Sequence, residues 1–243
     1  MLHGFLSSSA QWQDNLAALQ RVCKPVTIEL WGHGQSPTPT DAQSYTPERY
    51  VEQLEAIRRE LGVAQWFLCG YSIGAGMTIR YAHCFPEHVV GHVFTNSSSG
   101  FADETLAAQW LADSEATAEA IMTGGGDAIR RIAVHPRFAK RLPKPVYDAL
   151  NADAEHLVPL AVANTLRYTT PYASVREIAP HNPKPALLCH GAKEKRFFKS
   201  KSWAEQHMAN LTVVELDAGH AVNMEDAEGF NTALSAFIQQ HQP

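Results

Sequence analysis

The 243-residue sequence has no run of about 18 apolar residues, which excludes a membrane-spanning helix of ordinary length. Basic charge is also short, with 20 Lys and Arg against 25 Asp and Glu and a formal net charge of −5. The basic residues are scattered, so neither a nucleic-acid groove nor a polybasic membrane patch is expected. Only four cysteines occur, Cys23, Cys69, Cys84 and Cys189, and none form a CxxC pair. That argues against a zinc ribbon or a disulfide framework. Two of them lie in apolar runs, where a free thiol behaves as a small hydrophobe. No signal-peptide pattern precedes the His3-Gly4 pair, so the expected location is the cytoplasm. Repeats and low-complexity tracts are missing too. What remains is an ordinary globular composition, 45% hydrophobic and 19% charged, with chain enough for one sizeable core.

Short apolar runs alternate with longer amphipathic stretches, the pattern of a parallel sheet covered by helices. Strands are expected at Pro25–Leu30, Gln65–Gly70, Val89–Thr95, Pro185–Cys189 and Leu211–Leu216. Helices are expected at Thr46–Leu61, Ile73–Phe85, Lys199–Met208 and Ala227–Gln240. Thr46 supplies an N-cap, Pro47 the first helical position and Gly62 the stop. Between residues 101 and 180 the rhythm changes, with no strand and three helical stretches, Thr105–Met122, Asp127–Val134 and Pro145–Thr169. The expected organisation is therefore a core made of residues 1–100 and 181–243, interrupted at 101–180 by a helical cap too long for a plain loop.

Gly70-Tyr71-Ser72-Ile73-Gly74 follows one of these strands and opens a helix, the context that gives a G-x-S-x-G pentapeptide meaning. The glycines permit a sharp turn that lifts the Ser72 hydroxyl above the sheet edge. The Ile73 N–H, at the helix start, faces developing negative charge. Three further signals stand in order. His3-Gly4-Phe5 places the Phe5 N–H as a second oxyanion donor, Gly32-His33-Gly34-Gln35-Ser36 follows a strand, and Ala218-Gly219-His220 follows the last strand. Ser98 and Ser99 sit beyond a strand end that faces the same site, and Tyr71 adjoins Ser72, so these three are candidate substrate contacts. His88 and His92 flank Val89-Val90-Gly91 without a third ligand nearby, so no metal site is expected. His33 reads as a turn residue held by hydrogen bonds. Trp110, Trp203 and Phe197-Phe198 read as packing residues, and Asp217 as a surface acid.

With these motifs in this order, the sequence resembles the α/β-hydrolase superfamily over essentially its whole length. The resemblance implies Ser72 as nucleophile and His220 as general base. It also implies an acid three residues beyond the glycine that ends the preceding strand. That position holds Glu194 where the family usually has aspartate; the fallback acid is Asp103, since some members carry the acid after the earlier strand. Gly70–Gly100 and Glu194–Phe230 further resemble the menaquinone-pathway 2-succinyl-6-hydroxy-2,4-cyclohexadiene-1-carboxylate synthases. Those place a carboxylate-binding arginine four residues after the nucleophile, and here that residue is Gly76. The expectation is accordingly a carboxylesterase that cleaves a small, largely neutral ester through an acyl-enzyme, with no metal or organic cofactor. A carbon–carbon bond hydrolase or lyase with the same residues is the alternative reaction. A ligand-binding homologue without turnover is the alternative of another class. Oligomeric state stays open. Family members carry three strands before His-Gly, whereas only Met1 and Leu2 stand here. The sheet is thus expected to lack its N-terminal strands, leaving an upstream start, rearranged strands or a displaced Phe5 as the alternatives.

Overall fold

The computed structural model describes residues 1–242. In chain order it contains α1 (Gln13–Leu19), α2 (Pro47–Glu60), β1 (Trp66–Gly70), α3 (Ile73–Cys84), β2 (Val89–Thr95) and α4 (Glu104–Ile129). These are followed by α5 (Lys144–Ala154), α6 (Pro159–Asn164), β3 (Ala186–Gly191), α7 (Phe198–His207), β4 (Leu211–Leu216), α8 (Val222–Glu225) and α9 (Ala227–His241). The four strands lie side by side in the order β1-β2-β3-β4, every pair parallel. Parallel neighbours require crossovers, and helices supply them. Apolar residues of α1 and α9, including Leu19, Phe230 and Phe237, pack with Val93 and Leu187 of the strands. Leu54 of α2 and Met77 of α3 pack with Leu68, while Ile79 of α3 and Ala204 of α7 pack with Phe94 and Leu188.

Local signals set the helix ends. The Thr46 side chain accepts from the Arg49 N–H at 3.4 Å, Pro47 opens α2, and Gly62 beyond its end has φ +66°. In α4 the Asp103 carboxylate accepts from the Leu106 N–H at 2.9 Å. The break expected at Gly124-Gly125-Gly126 is present: Gly125 (φ 57°, ψ −141°) is non-helical and divides α4 into two helical stretches. The third expected helix is in fact two, α5 and α6, and α6 runs into a π turn at Thr165–Thr169. None of these helices is long and apolar enough, among the described residues, to cross a membrane.

The first expected strand is corrected more deeply. Pro25–Leu30 forms no extended ladder, because its inner neighbour is only Met1–Leu2. Leu2 bridges in parallel to Ile28 on one side and Gly70 on the other. Its N–H donates to the Cys69 carbonyl at 2.8 Å and its own carbonyl accepts from Tyr71 at 3.0 Å. One residue farther on, a side chain replaces the backbone: His3 Nε2 accepts from the Leu30 N–H at 3.0 Å. The inner position is thus filled, but over a single rung.

The helical segment between β2 and β3 is fastened at its root. Val175 N–H donates to the Gly100 carbonyl at 2.8 Å, Ser174 Oγ to Ala102 at 2.7 Å, and Arg176 Nε to Phe101 at 2.8 Å. From α3, Arg80 donates to the carbonyls of Tyr172 (3.1 Å) and Ser174 (3.0 Å).

Candidate active site

Ser72 stands between β1 and α3 with φ 53° and ψ −117°, a left-handed conformation that a non-glycine residue adopts only under constraint. The constraint comes from crowding. A Cβ on Gly70 would lie 2.3 Å from the Gly74 carbonyl oxygen, and one on Gly74 would lie 2.9 Å from that of Leu2. The turn can close only with glycine at both places, which explains the spacing of the pentapeptide.

Ser72 Oγ lies 3.0 Å from His220 Nε2, and His220 Nδ1 lies 3.1 and 3.0 Å from the two carboxylate oxygens of Glu194. The three come from the ends of β1, β3 and β4, so the parallel sheet is what brings them together. Glu194 is further gripped by Asn96, whose Nδ2 donates to Oε2 at 2.8 Å. Asn96 is fully buried, and its own carbonyl oxygen accepts from His190 Nδ1 at 3.0 Å and the Gly191 N–H at 3.1 Å. Burial alone would raise the Glu194 carboxyl. The hydrogen bonds from His220 and Asn96, with the charge of Arg196, outweigh it and hold the group below its ordinary range. An ionised Glu194 accepts a hydrogen bond from the Nδ1–H of His220, which leaves Nε2 as the acceptor toward Ser72. Tyr71 sets its edge against the His220 ring at 5.4 Å.

The backbone beside this chain is shaped as closely. Residues 3–7 form a tight loop in which Leu6 has φ 58°. Gln11 Oε1 accepts from the Gly4 N–H (3.1 Å) and from Ser7 Oγ (2.8 Å), and His33 Nε2 accepts from the Leu6 N–H (3.3 Å). Both His3 and His33 are fully buried, their rings 5.3 Å apart. Burial, and for His3 also the neighbouring His33, lowers their pKa values to about 3 and about 4. They are neutral rings, each with Nδ1–H donating to a carbonyl, of Gly4 and Trp31 respectively. Within this frame the amides of Phe5 and Ile73 donate to no other group among the described residues, and both residues line the cavity with Ser72.

That cavity has a volume of about 600 Å³. Its far wall comes from the helical segment, through Leu106, Trp110, Leu142, Leu150 and Leu166. Tyr71, Ser98 and Ser99 line it, as do Arg196 and Met224.

Residues 1–227 match the family described as alpha/beta hydrolase fold. The chain belongs to the α/β-hydrolase fold family. A Bacillus subtilis (strain 168) chain assigned as a 2-succinyl-6-hydroxy-2,4-cyclohexadiene-1-carboxylate synthase is 23% identical, over 98% of this chain and 88% of its own. The 3-oxoadipate enol-lactonase 2 of Acinetobacter baylyi (strain ATCC 33305 / BD413 / ADP1) is 24% identical, over 95% and 84%. Among solved structures, MenH from S. aureus superposes with a TM-score of 0.86 at 19% identity, covering all of this chain and 93% of its own.

In this α/β-hydrolase the structure brings Ser72, His220 and Glu194 together but keeps Asp103 apart, as the cap of α4. Gly76 is closed to any larger residue, since a Cβ there would lie 2.6 Å from the Ala173 carbonyl oxygen. Arg80, one turn on, is committed to Tyr172, Ser174 and Glu48. Trp110, read from sequence as packing, is on the cavity wall instead, because α4 turns that side inward. His88 pairs with Glu55 and His92 with Asn182, far apart in role. Sequence reasoning missed Asn96 and the place of Arg196. The one available signal for Asn96 was its position directly after β2.

Proposed function

We propose that this α/β-hydrolase is a serine hydrolase, a carboxylesterase that works through an acyl-enzyme on Ser72. The observation that carries the reading is the continuous chain from Ser72 Oγ through His220 to Glu194, with hydrogen bonds near 3.0 Å. His220 Nε2 takes the Ser72 proton as Oγ attacks the ester carbonyl carbon. The carbonyl oxygen, now negative, is held by the Phe5 and Ile73 amides, each worth about 3 kcal/mol in such sites. The tetrahedral species expels the alcohol, which takes its proton from His220. Water then gives a proton to Nε2 and attacks the acyl carbon, and Ser72 leaves with that proton. Glu194 stabilises the imidazolium throughout and stays ionised.

The helical segment acts as the cap of this site, giving it an apolar wall that suits a compact acyl or alcohol group. Without a guanidinium at position 76, the synthase reaction loses the bidentate partner that a dicarboxylate needs. The test is hydrolysis of p-nitrophenyl esters from acetate to decanoate by the wild type and by Ser72→Ala. Turnover that falls by about 10⁴ or more in the variant supports the reading. A folded wild type that is as inert as the variant on every ester overturns it, in favour of the carbon–carbon hydrolase or the non-catalytic homologue.

A further inference from the structure

Among the residues that line the cavity, Arg196 is the single lysine or arginine. It stands on the loop just past Glu194, within reach of that carboxylate's field. Glu194 cannot serve as its partner, because its oxygens are already engaged by His220 and Asn96. Among the described residues Arg196 makes neither an ion pair nor a hydrogen bond. Arg167 is held by Glu115, Arg130 by Asp127 and Glu155, and Arg80 by backbone carbonyls and Glu48, whereas Arg21, Arg131 and Arg141, unpaired like Arg196 among the described residues, lie outside this cavity. A guanidinium that is free, faces a largely apolar cavity and offers a planar fork of donors fits a carboxylate better than any neutral group.

We propose that Arg196 is a specificity-determining residue, binding a carboxylate carried by the substrate at the end opposite its reacting ester. Resting on the serine hydrolase reading above, this narrows the substrate to a monoanionic ester: an apolar chain along the wall of Leu106, Trp110 and Leu166, with its charged end at Arg196. One arginine suits one carboxylate, and the closed position 76 excludes a second cation there. Arg196 itself is exposed, so solvent screens the pair and the preference it generates is moderate.

Two esters that differ only at the far end test this: p-nitrophenyl hexanoate and mono-p-nitrophenyl adipate, compared by kcat/KM in the wild type, Arg196→Gln and Arg196→Lys. The wild type is expected to favour the adipate by about tenfold, mostly in KM. Arg196→Gln should bring the ratio to one or below, and Arg196→Lys should keep part of it. A wild-type ratio at or below one overturns the proposal, as does a ratio that Arg196→Gln leaves unmoved. If the hexanoate itself is not cleaved, the hydrolase reading fails separately. Monomethyl adipate is then titrated calorimetrically into Ser72→Ala: binding that Arg196→Gln abolishes supports the arginine's role, and no binding overturns it.

Discussion

The four-stranded ladder and the edge beyond β1 are built on opposite principles. At the C-terminal ends of β1, β3 and β4, Ser72, Glu194 and His220 meet on full parallel ladders, and each is held by a further group. Beyond the outer edge of β1, Leu2 makes one rung and the His3 ring takes over where a strand would continue. Yet this edge supplies the loop that bears Phe5. Chemistry in such a sheet depends on where strands end rather than how long they run, provided that something fixes the ends. At the edge of Leu2 that something is a pair of buried neutral histidines.

The sharpest way to separate the two is Glu194→Gln, expected to lower kcat on a p-nitrophenyl ester by about 10³ or more with little change in melting temperature. Acid should act on the edge beyond β1 first. His3 and His33 are lowered to about 3 and about 4, both chiefly by burial, with His33 adding to the effect on His3. In the unfolded chain they titrate near 6.5, so the stability they hold is complete above that pH and is lost as pH falls toward their folded values. Denaturant unfolding should show a loss of about 1–2 kcal/mol per ring between pH 6.5 and 5; a flat profile there would show that the rings take up protons as readily in the fold as in the unfolded chain. His3→Ala should remove about 3 kcal/mol at pH 7 by opening a void and stranding the Leu30 N–H. Unlike Glu194→Gln, it should depress stability and turnover together. Asn96→Ala should slow kcat by about tenfold and shift the acid limb of the pH–rate profile upward, since Glu194 loses a donor. A profile identical to wild type would reduce Asn96 to a structural role. Smallest of all, Asp103→Asn should leave turnover within about twofold, because asparagine also caps a helix.

The same contrast explains what could be read in advance. Ser72 sits in a short motif whose glycines are forced by local crowding, and crowding of that kind is written in consecutive residues; His220 follows the last strand in a short motif of its own. Glu194 followed from its distance past Gly191. Asn96 had no signal beyond its place after β2, because its task exists only once β2 lies beside β3, which no local pattern encodes. Pro25–Leu30 has the composition of a strand, but a ladder needs a partner of equal length, and its neighbour has two residues. In the helical segment, the three glycines announced the break in α4 at Gly125, but propensity showed neither the division of the last stretch into α5 and α6 nor the π turn into which α6 runs.

The stitching at the root of that segment has a mechanical consequence. Gly100, Phe101 and Ala102 on the outgoing arm are tied to Ser174, Val175 and Arg176 on the returning arm, and Arg80 rivets the return to the helix that begins at Ser72. A door fastened along its whole hinge line to its own frame does not swing. Any widening of the entrance has to arise as flexure farther out, at Gly125 and in the turn between α5 and α6. Ser72 therefore keeps its alignment while the far wall bends.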